Sequence, residues 1–188
     1  NMVTELDRIT ALVLIDLQKS VVARAFARPV KEVLDNAVKL VEAFRKASLP
    51  VVLVFVNPNG AGWLKTRRDS ATSSAVAYTE DSLSIAPEII TRPDDIFITK
   101  KCWGAFYETP LDEELKKRNV SGIVLAGIST SIGVEGTARQ ASERGYNIAF
   151  ARDAMTDMVA AAHENSLKYI FPRMGEVDDT DKIVAKLS

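Results

Sequence analysis

Apolar positions along this chain follow two patterns that take turns. Short, nearly unbroken runs recur: "ALVLIDL" from Ala11 to Leu17, "PVVLVFV" from Pro50 to Val56, "DIFITK" from Asp95 to Lys100, "GIVLAGI" from Gly122 to Ile128 and "YNIAFARDA" from Tyr146 to Ala154. A run this short, apolar at successive positions, suits a strand covered on both faces. Between the runs the spacing changes. In "VKEVLDNAVKLVEAF", the residues Val30, Val33, Leu34, Ala37, Val38, Val41 and Phe44 recur at helical steps, so one face is apolar. Pro29 opens this helix. "TPLDEELKKR" carries a start signal, with Thr109 as N-cap, Pro110 in the first position and Asp112 completing a capping box. Lys116, Lys117 and Arg118 in its last turn suit the negative end of the helix dipole. A helix follows the fourth run to about Arg144 and stops at Gly145. A further helix spans "AAAHENSLKYIF". A short strand near Gly175 to Val177 and a helix around Lys182 close the pattern.

Strands alternating with helices predict a parallel sheet with helices on both faces. Such sheets place ligands at the carboxyl ends of their strands. Asp16 and Gln18 stand at the end of the first strand, and Lys100 and Lys101 at the end of the third. The fourth runs into "GISTSIGVEG", a strand end, a tight turn and a helix start. This turn has the shape that presents a nucleophile at a helix N-terminus, yet it ends in Gly133, which has no side chain. The stretch from Asn57 to Asp94 is too long for a plain connector. It reads as a lid, a binding loop or an oligomer contact, with Trp63 a candidate for the last role.

Composition narrows the classes. At 188 residues, with 47% hydrophobic and 26% charged residues, the chain reads as one globular domain from residue 2 to residue 188, Asn1 ahead of Met2 being set aside. A formal net charge of −1 gives no general attraction to nucleic acid or to an anionic membrane. No apolar run approaches the roughly 20 residues that cross a bilayer, and no secretory signal is read at the start. A single cysteine permits no internal disulfide, and a reduced, cytoplasmic protein is expected.

Each candidate residue also has a purely structural reading. Asp16 on an apolar strand is either a loop cap or a functional carboxylate, and a buried Asp is rarely unpaired. Lys100 is either a snorkelling strand-end lysine or a site cation. Cys102 reads as a small buried residue. Ser129, Thr130 and Ser131 read as servants of the turn's own hydrogen bonds, since no histidine base is evident. His163 falls among the apolar positions of its helix and reads as a satisfied core residue. Arg67 and Arg68, in the long loop, either clamp a substrate carboxylate or are solvated. Trp103 and Phe106 flank the Lys100 strand end, as packing residues or as substrate walls.

"LVLIDLQ", "KKCWGAFYETPLDEEL" and "GISTSIGVEGTARQASERGYNIAFARDAM" resemble the isochorismatase-like hydrolases, also called the cysteine hydrolase superfamily. The likeness covers the chain apart from the 57–94 loop, with the motifs in family order and spacing. It implies a three-layer α/β/α sandwich with a mainly parallel, six-stranded sheet. It also implies a homo-oligomer, dimer or larger, and a non-proline cis peptide at Ile128–Ser129. The family's usual catalytic set is Asp, Lys and Cys. Asp16 matches the Asp. Lys100 matches the Lys, six residues before Phe106. Gly133 stands where the cysteine belongs. Amidases of the family attack a carbonyl with that thiolate, and its nicotinamidases also bind a metal through Asp and His; this chain has one histidine, far from that position. Isochorismatases proper are similar in carrying glycine there, and cleave a vinyl ether with release of pyruvate. The resemblance therefore implies hydrolysis of a small anionic or carbonyl-bearing metabolite, isochorismate being one candidate. Asp16 would be the acid/base, Lys100 its electrostatic partner and Gly133 the space for substrate or water. Gln18, Arg67, Arg68, Trp103, Phe106, Ser129 and Ser131 are expected to contact substrate. No metal or other cofactor is expected. The alternative is an inactive member that binds a metabolite or a protein.

Overall fold

The computed structural model describes residues 2–24, 26–61, 66–67 and 77–187. Trp63 and Arg68 lie outside them. Strands β1 (Thr10–Ile15), β2 (Val51–Val56), β3 (Ile96–Lys100), β4 (Gly122–Ile128), β5 (Asn147–Thr156) and β6 (Glu176–Asp178) form one sheet in the order β3-β2-β1-β4-β5-β6. Every neighbouring pair is parallel. The winding reverses between β1 and β4, so a crevice opens at their carboxyl ends.

Side-chain alternation on buried strands builds two cores. Ala11, Val13 and Ile15 face one side of the sheet and Leu12 and Leu14 the other. The second side is covered by α2 (Val30–Lys46), which buries Val33, Leu34, Ala37, Leu40, Val41 and Phe44, and by Ile183 of α7 (Thr180–Val184). The first is covered by α4 (Leu111–Lys117) through Leu111 and Leu115, and by α5 (Glu135–Glu143) through Ala138 and Ala141. Each large apolar side chain buried in this way stabilises the fold by about 1.5–3 kcal/mol.

Glycine is required where backbones touch. Gly127 has φ 120°, and a Cβ there would stand 2.2 Å from the Ile15 carbonyl oxygen. Gly145, at φ 83°, ends α5 in the left-handed conformation that its place in the sequence predicts. The Ile128–Ser129 peptide bond is cis.

Three local readings change. The α4 helix starts at Leu111, one residue later than expected, with Pro110 in the N-cap position, while the Thr109 hydroxyl still accepts the Leu111 amide at 3.3 Å. Asp112 completes no capping box, because its carboxylate accepts the Tyr146 hydroxyl at 2.7 Å and pairs with Lys116. The residues after β4 form a wide π turn, Thr130–Val134, before α5 begins. Two short helices, α1 (Lys19–Val22) and α3 (Glu80–Leu83), have too few residues to show a period; α3 lies within the long stretch after β2. Helix α6 (Ala160–Asn165) widens into a π turn over Ser166–Ile170.

Candidate active site

Register sets the geometry. Ile15 pairs with Val54, and Val56 pairs with Lys100 two residues further along. Asp16, just past β1, and Lys100, the last residue of β3, thus meet across the end of β2. On edge strand β3 the exposure alternates, and Lys100 falls on the buried side with Ile96 and Ile98. Its ammonium donates to Asp16 Oδ2 at 3.0 Å and to the Cys102 carbonyl at 2.9 Å. Both side chains are almost wholly buried.

Asp16 adopts φ 54°, in the left-handed region that few residues other than glycine enter and that Asp tolerates. Its amide donates to the Val54 carbonyl. Its Oδ1 is buried with no hydrogen-bond partner. Burial pushes the carboxyl up to about 6, while the adjacent Lys100 charge, its hydrogen bond and the charge of Arg24 pull it back. Desolvation outweighs them because burial strips water from both oxygens and Oδ1 gains no hydrogen bond in return. The result is an acid that holds or releases a proton near neutral pH.

Gly133 lies against this pair. A Cβ built on it would meet Ile15 Cγ2 at 2.9 Å and Asp16 Oδ2 at 3.4 Å. The turn that carries Gly133 is tied down from β5. Asp157 Oδ2 accepts both the amide and the hydroxyl of Ser131, at 2.8 and 2.7 Å, and Oδ1 accepts the Val159 amide. Thr130 is bonded to Nδ1 of the buried His163 at 2.7 Å, and burial lowers the pKa of that imidazole.

A cavity of about 320 Å³ opens over the pair, walled by Ser129, Gly133 and Ile132 on one side and by Trp103, Tyr78 and Arg24 on others. Asp16 and Lys100 also line it. Four expected substrate contacts are placed elsewhere. The Gln18 amide is consumed by backbone, donating to the carbonyls of Val56 and Leu83 and accepting the Val56 amide. It ties β2 to α3 rather than facing the cavity. Phe106 is buried in the core against Tyr146, with Arg144 over its ring. Ser131 is spent on Asp157. Arg67 is exposed and is not among the residues that wall the cavity. Arg68 is outside the described residues. Sequence reasoning missed Arg24 and Asp157. The available signals were a cation closely following the Asp16 strand end and a carboxylate directly after β5. Among the described residues no cluster of His, Cys, Asp and Glu is placed to hold a metal ion, and no helix is long and apolar enough to cross a membrane.

Against known proteins, the isochorismatase domain profile matches residues 10–182. The isochorismatase family protein YwoC of Bacillus subtilis (strain 168) is 40% identical over 185 residues, covering 95% of this chain and 94% of that one. Nicotinamidase 3 of Arabidopsis thaliana is 28% identical over 182 residues, covering 94% and 87%. The solved structure of an isochorismatase family protein from Burkholderia thailandensis superposes with a TM-score of 0.86 at 33% identity, over 97% of each chain.

Proposed function

The chain belongs to the isochorismatase family, and on that premise we propose that it hydrolyses a small anionic enol ether in the cavity over Asp16 and Lys100. The observation that carries the reading is the buried Asp16–Lys100 pair, with Asp16 Oδ1 unpartnered and its pKa raised to about 6. A carboxyl poised there is a general acid. Gly133 brings no nucleophile to the same spot, which favours chemistry that runs without a thiol.

The steps follow from these groups. Protonated Asp16 delivers its proton to the terminal carbon of the enol double bond, and the ether oxygen shares the positive charge that develops. Water adds to the cationic carbon and loses a proton to Asp16, giving a hemiketal. The C–O bond to the leaving group breaks, the leaving oxygen takes up a proton and the hydroxyl oxygen gives one up. A ketone and an alcohol are released. Lys100 holds the Asp16 carboxylate in place between the two proton transfers of one turnover.

The similarity to Nicotinamidase 3 favours a second reading, amide hydrolysis. It is the weaker one, because a thiolate would have to come from Cys102. Cys102 does line the cavity, but its sulfur donates to the Gly104 carbonyl and stands on the loop beyond Lys100, not on the turn. A ligand-binding member without catalysis is the third outcome.

Purified chain is to be assayed with isochorismate, simpler enol ethers, nicotinamide and other small amides. Turnover of an enol ether is expected, with a rate that falls as pH rises through about 6. Asp16→Asn, which keeps the shape and removes the acid, is expected to lower the rate by about 10²–10⁴-fold while ligand binding survives. An Asp16→Asn rate equal to wild type sinks the acid role. Turnover of amides alone supports the second reading, and binding without turnover the third.

A further inference from the structure

Two cations line the cavity, and only one is engaged. Lys100 is met by the Asp16 carboxylate at 3.0 Å and by the Cys102 carbonyl. Arg24 follows α1 on the same wall as Ser20 and Val21. It is exposed, and among the described residues its guanidinium has no ion-pair or hydrogen-bond partner. Asp16 is the one acidic side chain among the described residues that line the cavity. At neutral pH, above the Asp16 pKa of about 6, the ionised Asp16 and Lys100 cancel each other, and the remaining positive charge of the cavity lining is that of Arg24.

The rest of the wall is largely apolar. Val21, Leu83, Ile128 and Ile132 surround the space, with Trp103 and Tyr78 at its edge. Apolar walls exclude water and strengthen a charge pair formed beside them. A guanidinium presents a planar fork of N–H donors that matches the two oxygens of a carboxylate. Lys100 cannot serve that purpose without abandoning Asp16.

We propose that Arg24 is the specificity-determining residue of the cavity, anchoring the carboxylate of a small monocarboxylate whose apolar body lies against Trp103 and Ile132. This rests on the cavity being the substrate site, as argued above. It narrows the substrate class to small ligands with one carboxylate, since a neutral ligand would leave Arg24 without a counter-charge.

The test reads binding and needs no turnover. The full chain and its Arg24→Ala and Arg24→Lys variants are titrated calorimetrically at neutral pH with benzoate and with benzamide, its neutral isostere. Wild type is expected to bind benzoate more tightly than benzamide. Arg24→Ala is expected to weaken benzoate by about tenfold or more, the value of a charge-assisted hydrogen bond, and to leave benzamide unchanged. Arg24→Lys, which keeps the charge and loses the fork, falls between. Arg24 is exposed and unpaired, so its replacement leaves folding intact; equal thermal unfolding of the variants checks this. Benzoate failing to bind wild type at tens of millimolar overturns the proposal. So does benzoate binding no better than benzamide, or losing nothing in Arg24→Ala. Asp16→Asn retains Arg24 and is expected to keep the benzoate preference. Failure of the acid role and failure of the Arg24 anchor therefore appear in separate experiments.

Discussion

At the residue scale, Asp16 spends folding energy to hold a proton. Its carboxyl is raised from 3.8 to about 6, burial outweighing the Lys100 charge. A group whose folded pKa lies above its unfolded value favours folding fully below the unfolded value. That contribution is lost as pH rises through the folded pKa. The unfolding free energy of wild type, minus that of Asp16→Asn, should therefore fall as pH rises from about 4 to about 7 and then level off. The expected drop is on the order of 3 kcal/mol. Other titrating groups cancel in the difference. Urea denaturation of both proteins across this range measures it, and a difference that does not vary with pH contradicts the raised pKa. The mechanism needs the same property, because an Asp at its ordinary pKa would have no proton to give.

At the element scale, the turn that bears Gly133 holds its shape through Asp157 at the end of β5. One carboxylate satisfies the Ser131 amide, the Ser131 hydroxyl and the Val159 amide. Removing it leaves three donors to find other acceptors. Asp157→Ala is expected to lower stability by about 2–4 kcal/mol, from an unsatisfied-donor cost of about 1–3 kcal/mol each, partly relieved by water. Asp157→Asn, which keeps one acceptor oxygen, should recover part of the loss. Hydrogen exchange supplies a readout that global stability does not. The Ser131 amide should exchange faster in Asp157→Ala than can be accounted for by the global change, because the turn itself is loosened. Exchange that tracks global stability alone would show that Asp157 stabilises β5 without positioning the turn.

At the scale of the whole molecule, the strand order puts the site where the winding reverses, between β1 and β4. Exposed apolar side chains follow the strand ends at this pole: Trp103 after β3, Ile132 on the turn, and Met158 and Val159 after β5. We propose, as the family resemblance implies, that copies of this chain associate as a dimer or larger. Sedimentation equilibrium at micromolar concentration should give at least twice the 20.6 kDa chain mass. A monomer there removes the proposal and leaves this rim free for ligands alone.

The sequence by itself determined the elements and the strand ends. Buried strands and an amphipathic helix write their periods locally, so β1 to β5 and α2 are legible within a residue or two. The motif matches also single out Asp16, Lys100 and Gly133, which the structure brings to one point. What the tertiary structure decided is where other side chains spend their bonding capacity. Gln18 follows a strand end and looks free, but α3 and β2 approach from far along the chain and take its amide. Asp112 looks like a cap until Tyr146, from before β5, claims it. Phe106 turns into the core, and Ser131 is held by a carboxylate 26 residues away. Arg24 becomes part of the site only because the chain doubles back after β1. Periodicity is a property of neighbours in sequence. Satisfaction of polar groups and balance of charge are properties of neighbours in space, and in a sheet that pairs β1 with β4 those neighbours are more than a hundred residues apart.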